Sequence, residues 1–455
     1  MKKIIIPIFH GHLARNILRT DVFKILADNR ELEIVIYAPD YKQEYYTKEF
    51  GADRVLVERV PTIYFSKIDK FFRYFYFYFV DTATTKIIQQ EQFLFKKRYF
   101  KYVTTRLLTL IFGHLVILRK LVRFFDRALV GNNKDLDLLL NKHSPDLVFI
   151  PSITSDQDTM LLRCANKKNI LTVGMVRSWD NITVNKGNVR IFPDKFIVHT
   201  KFLKEDLIKY ADACAEMIEV VGMSHFDYYT NGARQPREEF MKTLGADPHK
   251  RYIYFMPIGL SDGEQDRKII EYLADIISRH HELMDYQLLV TSHPNTDKAL
   301  EITRPNVVMI PPRGIVSFTN SRLVDREITT EAMELMADLI YHCALVVNYQ
   351  GTSTIDAAAF DRPIINIAFD DKPRPYLNSV RRFYDFTHYL PIIRSGGIKI
   401  AHDLSELETM IVEYVKNPSL DQKGRARIVE EQCYRLDGRA SKRTVQALLS
   451  TLINL

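Results

Sequence analysis

The sequence is poor in the residues and segments that stabilise secreted or zinc-bound proteins. Its four cysteines, Cys164, Cys214, Cys343 and Cys433, include no C-x-x-C pair. That spacing argues against a disulfide framework and a structural zinc, and it indicates a reducing compartment. Tracts rich in Pro, Gly or Ser and long acidic tails are also lacking from the sequence. We therefore expect the whole chain to fold.

Long apolar runs are scarce as well. The apolar run at residues 3–9 is about half as long as that of a signal peptide, so we interpret it as a first strand. Residues 107–118 are mostly apolar, but Arg106 and Arg119 bracket them, and a helix needs about 20 apolar residues to cross a bilayer. We expect no transmembrane helix. The sequence predicts a cytoplasmic protein, which can also lie at the inner face of the cytoplasmic membrane.

What the sequence does contain is a regular alternation of short β-type runs with helix-length amphipathic stretches. This alternation is typical of βαβ units and a parallel sheet. The strands predicted in the first half are 3–9, 32–38, 54–60, 146–151, 170–175, 195–200 and 218–222. Those predicted in the second half are 252–257, 286–291, 307–311, 344–349 and 363–369, with helices near 264–280, 329–342 and 352–360.

A chain of 455 residues is too long for one ordinary core. The pattern predicts an α/β fold with two Rossmann-like domains, 1–230 and 237–430, because the polar stretch between them has the turn chemistry of a linker. Parallel sheets bind ligands at the carboxyl ends of their strands, and here both sets of ends can face one cleft. The second sheet lacks G-x-G-x-x-G, which disfavours a dinucleotide dehydrogenase.

The strand rhythm breaks at residues 62–130, which we interpret as a helical insertion in the first domain. Residues 61–130 hold 13 Lys/Arg against 4 Asp/Glu, and 18 of the 52 aromatic residues, whereas the whole chain has a net charge of +7. Cations and aromatic rings together favour peripheral membrane contact. The alternative is a helical subdomain whose rings pack internally. We expect no nucleic-acid partner, because no nucleic-acid-reading module accompanies the charge.

The sharpest motif is N-Y-Q-G-T-S-T-I-D at residues 348–356. Gly351 and the hydroxyls of Thr352, Ser353 and Thr354 lie between a strand and a helix, where unpaired backbone N–H groups and the positive helix end favour an anion. Asp356 lies one turn into the helix, where it can face a ribose. The motif predicts a phosphate cradle. The alternative is an ordinary N-cap formed by Thr352 or Ser353, with Asp356 complementing the helix dipole.

Two histidines follow the first predicted strand. His10 and His12 flank a glycine where the first helix opens, at the edge of the sheet that faces the cleft. A histidine at that edge can act as general base, because its ordinary pKa lies near neutrality. The alternative is that one of the two only hydrogen-bonds loop backbone.

The loop after the strand at 170–175 holds the single tryptophan beside several hydrogen-bonding side chains. Asp180 can act as a base or orient a histidine, and Trp179 can offer an apolar platform to a sugar or a lipid-linked acceptor. Arg177 and Asn181 belong to the same cleft loop, and Lys186 can approach a phosphate. The alternatives are a buried tryptophan that anchors a loop capped by Asp180, and a solvated turn lysine.

Two more loops end strands of the second domain. Gly259 and Ser261 follow the strand at 252–257, and His293 follows the strand at 286–291. These residues can line the diphosphate or the base, although turn formation alone also explains the glycine. Acidic and histidine pairs elsewhere lack spaced partners, so we expect no bound metal.

Four blocks of the sequence carry a resemblance to known proteins. They resemble GT-B glycosyltransferases and the related CDP-glycerol glycerophosphotransferase and UDP-N-acetylglucosamine 2-epimerase proteins, some of them encoded among bacterial surface-polysaccharide functions. The resemblance covers residues 145–450. The blocks are S-W-D-N-I-T-V-N-K-G (178–187), V-V-G-M-S-H-F-D-Y-Y (220–229), G-T-S-T-I-D-A-A-A-F-D-R-P (351–363) and L-D-G-R-A-S-K-R (436–443).

The resemblance implies that residues 351–354 contact a donor diphosphate and that Asp356 meets the ribose. It implies an acceptor domain at 1–230, a nucleotide-donor domain at 237–430 and a C-terminal helix, 431–455, that crosses back to the first domain. It also implies metal independence and no cofactor beyond a nucleotide-sugar co-substrate. His12 is the closer match to a catalytic base and His10 the second. Two departures are the aspartate at 356, where relatives more often have Glu, and the missing H-G-T stretch of glycerophosphotransferases.

Together these features predict a glycosyltransferase that moves a sugar from a nucleotide-activated donor to a surface-polysaccharide or lipid-linked acceptor. His12 or His10, oriented by Asp180, would deprotonate the acceptor while the Gly351 turn stabilises the departing diphosphate. The alternatives are glycerol-phosphate transfer, hydrolysing epimerisation of a nucleotide sugar, and a non-enzymatic scaffold docked on a membrane.

Overall fold

A computed structural model describes residues 1–184, 189–259, 263–292, 302–318 and 326–453. The first strand, β1 (Lys2–Pro7), shows why its sheet is covered on both faces. Ile4 and Ile6 pack in one buried cluster and Ile5 in another. Successive side chains of a strand point to opposite faces, so a run of buried isoleucines needs helices on both sides of the sheet.

The first sheet has seven parallel strands within the described residues, in the order β3-β2-β1-β4-β5-β6-β7. Every strand predicted for this half is confirmed, with ends shifted by up to two residues. The further bounds are β2 (Leu32–Pro39), β3 (Val55–Val60), β4 (Leu147–Ile150), β5 (Leu171–Met175), β6 (Lys195–Val198) and β7 (Ile218–Val220).

The second sheet has six parallel strands in the described ranges, in the order β10-β9-β8-β13-β14-β15. A short antiparallel pair, β11 and β12, lies apart from it. The predicted strands of this half are confirmed, whereas β11, β12 and β15 were not predicted from the sequence. The bounds are β8 (Arg251–Met256), β9 (Tyr286–Thr291), β10 (Val307–Ile310), β11 (Ile315–Val316), β12 (Glu327–Ile328), β13 (Leu345–Asn348), β14 (Ile364–Ile367) and β15 (Lys399–Ala401).

Helices connect the strands and cover both sheets. In the first half they are α1 (Gly11–Leu13), α2 (Asp21–Asp28), α3 (Gln43–Phe50), α4 (Lys67–Phe75), α5 (Ala83–Gln89), α6 (Tyr99–His114), α7 (Val116–Leu129), α8 (Lys134–His143), α9 (Asp156–Lys167) and α10 (Lys201–Ala211). In the second half they are α11 (Arg237–Thr243), α12 (Glu264–Arg279), α13 (Thr330–His342), α14 (Thr352–Ala359), α15 (Leu390–Ser395), α16 (Leu404–Lys416), α17 (Gln422–Cys433) and α18 (Ala440–Ile453).

The predicted helical insertion is confirmed and consists of α4 to α7. Ser66 caps α4 by accepting a hydrogen bond from the Asp69 backbone N–H, and Thr82 caps α5. One side of the insertion belongs to the first domain, because Phe72 and Phe79 are buried in the same cluster as residues of the sheet. Among the described residues, no helix combines the length and apolar character that crossing a membrane requires.

A buried ion cluster fixes α7 of the insertion to the first domain. Asp126 of α7 accepts hydrogen bonds from Arg163 at 2.6 Å and from Arg190 at 3.0 Å, and all three side chains are nearly inaccessible to water. The charges of a buried carboxylate and guanidinium are costly to separate, so the cluster holds α7 in one place.

Two contacts join the halves of the chain. The last helix, α18, places Val445, Leu448 and Leu452 in the cluster that contains Ile4 of β1, so the predicted return to the first domain is confirmed. Glu327 of β12 reaches into the first half, where Arg19, Lys42 and Tyr46 donate hydrogen bonds to its buried carboxylate. Both contacts hold the two sheets around the space between them.

Gly11 is the residue that permits the second of these contacts. A Cβ atom at Gly11 would lie 2.0 Å from the backbone oxygen of Arg326, which is far closer than two such atoms approach. The glycine between the two predicted histidines therefore has a packing role: it lets the chain next to Glu327 lie against the start of α1.

Candidate functional site

A cavity of about 1140 Å³ lies between the two halves, at the carboxyl ends of β1, β5, β8 and β13. This is where ligands bind in open α/β sheets. The structure brings most of the predicted site residues together here. Those that line the cavity are His12, Arg177, Trp179, Asp180, Asn181, Gly351, Thr352, Ser353 and Asp356.

The remaining predicted residues are not among the described lining residues of the cavity. Thr354 is fully buried behind the cavity wall, and His10 and Gly259 are not among the described lining residues. The Gly259 backbone N–H donates to Asp266 at 2.9 Å. Ser261, His293 and Lys186 lie outside the described residues.

The start of α14 has the geometry of an anion site. Gly351 is the N-cap residue, and no side chain caps the first turn. The helix therefore presents uncapped backbone N–H groups and the positive end of its dipole to the cavity. A Cβ atom at Gly351 would have Ser353 Oγ, at 3.9 Å, as its nearest neighbour, so the space in front of this glycine is open.

A buried polar network supports this turn from behind. The Asn348 side-chain amide donates to Ser353 Oγ at 2.8 Å and to Thr354 Oγ1 at 3.2 Å. Asn366 donates to Thr354 as well, and Thr354 and Tyr389 share a hydrogen bond. A satisfied buried network fixes side-chain positions. Thr354 therefore holds the turn in shape, while Gly351, Thr352 and Ser353 face the cavity.

Two arginines of the first half add positive charge to the cavity. Arg15 and Arg177 both line the cavity, and within the described part of the chain neither forms an ion pair with a carboxylate. The Arg15 Nε donates to Asn16 at 3.0 Å, and burial lowers the pKa of its guanidinium, an effect that nearby Asp356 opposes. Guanidinium groups that line the same cavity as an uncapped helix start favour an anionic ligand there.

Arg15 was not predicted from the sequence. It lies on a π-helical turn, Ala14–Leu18, that follows α1 directly. Such turns are rare and occur often at functional sites. The available signal was its position three residues after His12, which places both side chains on the same side of a helix.

His12 opens into the cavity beside these arginines. Burial by the cavity walls, together with the positive charges of Arg15 and Arg177, lowers its pKa to about 4. The side chain is nonetheless accessible to water inside the cleft. At neutral pH its imidazole is therefore uncharged and can accept a proton.

Trp179 links the two halves at the cavity wall. Its indole N–H donates to Thr352 Oγ1 at 3.3 Å, and its ring packs edge-on against His388 with the centroids 4.8 Å apart. The side chain is nearly buried and belongs to the hydrophobic cluster of the second half. The ring thus anchors the loop after β5 to the start of α14.

Asp180 has partners on its own loop. It accepts hydrogen bonds from Ser178 Oγ at 2.5 Å and from the Asn181 side-chain amide at 3.3 Å. Burial lowers the pKa of His388, and the negative charge of Asp180 opposes this shift. Among the described residues, His388 is therefore the histidine whose pKa Asp180 affects. The prediction that Asp180 orients His12 or His10 stays a prediction.

Asp356 is buried at the base of the cavity. Tyr229 donates a hydrogen bond to its carboxylate at 3.0 Å. Burial raises the pKa of Asp356 to about 6, while Tyr229 and Arg15 act in the opposite direction. Asp356 is thus held between a residue of the V-V-G-M-S-H-F-D-Y-Y block and the first-domain arginine, and its contact with a ribose stays a prediction.

The insertion forms one end of the same cavity, which the sequence did not reveal. Its lining residues there include Tyr74, Phe77, Tyr78, Ile88 and Phe93. The cavity therefore has a charged end between the two sheets and an aromatic end within the insertion. The described residues contain no group of three or more His, Cys, Asp or Glu side chains that could hold a metal ion.

Comparison with known proteins gives matches to structures alone. No family model and no curated protein sequence matches this chain. The structure of S. aureus MnaA with UDP matches with a TM-score of 0.55 and 12% identity, over 100% of this chain and 98% of that chain. UDP-GlcNAc 2-epimerase from Neisseria meningitidis, bound to UDP-GlcNAc, matches with a TM-score of 0.53 and 11% identity, over 99% and 100%. This likeness shows that the chain has the GT-B fold, with two Rossmann-like domains around a cleft.

Proposed function

We propose that this protein binds a nucleotide-activated sugar in the cavity and transfers the sugar to an acceptor hydroxyl. The observation that carries the proposal is that the uncapped start of α14 and the guanidinium groups of Arg15 and Arg177 line one cavity. A diphosphate matches both walls, because it can accept hydrogen bonds from backbone N–H groups and guanidinium groups together. Both fold neighbours named above are complexes, one with UDP and one with UDP-GlcNAc, so a UDP-sugar is the first donor to test.

In the proposed reaction the acceptor oxygen attacks the anomeric carbon of the sugar. The new carbon–oxygen bond forms as the bond from that carbon to the diphosphate breaks, and the electron pair of the broken bond leaves with the diphosphate. Arg15, Arg177 and the N–H groups at Gly351 stabilise the negative charge that develops there. The acceptor proton passes to His12, with His10 as the second candidate.

The low pKa of His12 fits this order of events. In the empty site the neighbouring arginines help to keep the imidazole uncharged. A bound diphosphate adds negative charge to the same group of residues, which raises the pKa of His12 from about 4 toward neutrality. A general base works best when its pKa lies near the working pH, so binding of the donor makes His12 a better base.

Hydrolysing epimerisation of a UDP-sugar is the second candidate, because a fold neighbour is a UDP-GlcNAc 2-epimerase. The products separate the two reactions. UDP release from UDP-GlcNAc or UDP-glucose that requires an added alkyl glycoside supports transfer. UDP release with a free sugar inverted at C2, in the absence of any acceptor, supports epimerisation, and release of CMP from CDP-glycerol would support glycerol-phosphate transfer. Absence of UDP binding together with absence of UDP release would contradict both UDP-sugar reactions.

We also propose that the insertion attaches the protein to the inner face of the cytoplasmic membrane. On α6, the apolar residues Phe100, Val103, Leu107 and Leu110 recur at helical spacing and are all exposed. On α7, Ile117, Leu121 and Phe124 do the same. An apolar stripe that faces water on two adjacent helices marks an interaction surface.

Positive charge adjoins this surface. Lys96, Lys97, Arg98 and Lys101 are exposed, and they form no ion pair with any described residue. Each basic residue near an anionic membrane contributes about 1 kcal/mol to binding. The combination of apolar stripes with free cations fits anionic phospholipid better than it fits a protein of mixed charge.

A further inference from the structure

The aromatic end of the cavity is formed by the insertion and not by the two sheets. Phe77, Tyr78, Ile88 and Phe93 line it, and Tyr74 stands at its rim. Tyr74 contacts Phe77 and Tyr78 edge-on, with ring centroids 5.6 Å and 6.1 Å apart. A diphosphate and a ribose are strongly hydrated groups, so neither of them accounts for these aromatic and aliphatic side chains, which share this end of the cavity with Gln89, Gln92 and Thr105.

Tyr74 connects this end of the cavity to the outer surface of the insertion. Its side chain lines the cavity and is still 56% exposed. Its neighbour Phe71, which is not a described lining residue, is 59% exposed. Both lie on α4 of the insertion whose helices α6 and α7 carry the exposed apolar stripes. The insertion therefore has apolar side chains on its outer surface, at the cavity rim and along the cavity wall.

We infer that the aromatic end of the cavity holds the hydrocarbon chain of a lipid-linked acceptor, which enters from the membrane past Tyr74. This inference rests on the proposed transfer to an acceptor hydroxyl and names the acceptor class: a polar head on a long hydrocarbon chain. The head lies toward His12 and Arg177 at the charged end, and the first part of the chain lies among Phe77, Tyr78 and Phe93. Burial of the hydrocarbon chain removes apolar surface of the lipid and of the protein from water, which favours binding.

Charge complementarity favours a membrane lipid over another protein as the occupant. The exposed cations at residues 96–98 and 101 precede or begin α6, next to Phe100 on its apolar stripe. Anionic headgroups would neutralise these cations while the stripe contacts the acyl chains. Docked in this way, the protein takes its acceptor directly from the bilayer.

The experiment uses farnesyl phosphate as the probe and methyl phosphate as its counterpart without a chain. Isothermal titration of the full-length wild type should show farnesyl phosphate binding at least about tenfold more tightly, since burying one large apolar side group is worth about that factor. Ile88→Trp, which fills the aromatic end, and Tyr74→Asp, which charges its rim, should each weaken farnesyl phosphate about tenfold. Both variants should keep the wild-type affinity for UDP.

Phe100→Asp is the matched control, because Phe100 is 82% exposed on α6 and is not a described lining residue of the cavity. It should keep the affinity for farnesyl phosphate in solution. If Ile88→Trp or Tyr74→Asp unfolds, photolabelling of the wild type with a diazirine-bearing farnesyl phosphate takes the place of that variant. The label should then map to residues 74–93. Label confined to other segments would overturn the inference.

The remaining outcomes separate this inference from the proposed function. Equal affinity for farnesyl phosphate and methyl phosphate, with UDP still bound, would overturn the lipid site and leave nucleotide-sugar binding in place. A wild-type protein that binds farnesyl phosphate but does not bind UDP would overturn the proposed function and support the lipid site. A stable dimer that Phe100→Asp dissociates would assign the outer surface to a second copy of this chain and overturn entry from the membrane.

Discussion

At the scale of single residues, His12 is the side chain whose behaviour is most specific to the proposed reaction. We predict that His12→Ala keeps donor binding but loses turnover by about 10²- to 10⁴-fold, because a general base acts on the acceptor and does not hold the diphosphate. Calorimetry with UDP and a UDP-release assay measure the two properties. Normal turnover in His12→Ala with loss in His10→Ala would move the base by two residues.

The pH dependence of His12 provides a second test. Its pKa in the folded protein is lowered to about 4 from 6.5, so the unfolded chain binds more protons between these values. The contribution of neutral His12 to the free energy of unfolding is therefore complete above pH 6.5, and it is lost as the pH falls from 6.5 toward 4. NMR titration of the unliganded protein should place His12 near 4, and UDP should raise that value. A titration near 6.5 without ligand would contradict the described environment.

The sequence identified part of this site at the residue level and missed another part. Arg177, Trp179, Asp180 and Asn181 could be placed because they follow a predicted strand, and parallel strands bring their carboxyl ends to one edge. His388 could not, because it lies in an irregular segment before α15 where no strand end or glycine turn marks the cleft. Tyr229 and Arg15 were missed because contacts across the two halves depend on how the domains meet.

At the scale of elements, the insertion is the part of the molecule that sets the protein apart from a plain pair of Rossmann-like domains. We predict that a triple variant, in which Lys96, Lys97 and Arg98 are each replaced by Glu, is released from vesicles that contain anionic lipid. Exposed charges are screened over about 10 Å at 0.1 M salt, so wild-type binding should also weaken steeply as salt rises. Vesicle flotation measures both effects.

The same variant carries its own control. All three side chains are exposed and form no ion pair with the described residues, so the thermal stability and the turnover of a short soluble acceptor should not change. Failure of the wild type to bind anionic vesicles at low salt would contradict membrane attachment through the insertion.

Strand elements were predictable because apolar runs of four to eight residues stood between clear turn signals. The missed strands β11, β12 and β15 have only two or three residues, which is too short for any periodic pattern. The insertion posed a different problem. Every position but one from Phe71 to Phe79 is aromatic, so no alternation distinguishes the buried Phe72 and Phe79 from the exposed Phe71 and Tyr74.

At the scale of the whole molecule, Glu327 is the charge that couples the two halves. Arg19, Lys42 and Tyr46 surround its carboxylate, which is completely buried together with the Lys42 ammonium group. We predict that Glu327→Gln destabilises the protein by about 3 to 5 kcal/mol, because it leaves the buried Lys42 ammonium group without its carboxylate partner, whereas Arg19 keeps its ion pair with Glu49. Urea unfolding measures the decrease in the free energy of unfolding.

Glu238→Gln, which breaks an exposed ion pair with Lys242, is the matched control and should lower the free energy of unfolding by less than about 1 kcal/mol. Equal stability of both variants would contradict this role of Glu327.

The central claim is that both halves of the chain contribute to one anion site in the cleft. Calorimetric titration with UDP tests it in two variants, Gly351→Val from the second half and Arg15→Gln from the first. Each should lower the affinity for UDP by about tenfold or more, which corresponds to about 1.4 kcal/mol.

The valine should not unfold the protein, because its Cβ would meet open space and the backbone at Gly351 is extended. Gly131→Val, at a glycine where an added Cβ would meet no atom within 4 Å, is the control and should keep wild-type affinity. Wild-type UDP affinity in folded Gly351→Val or Arg15→Gln protein would contradict the claim.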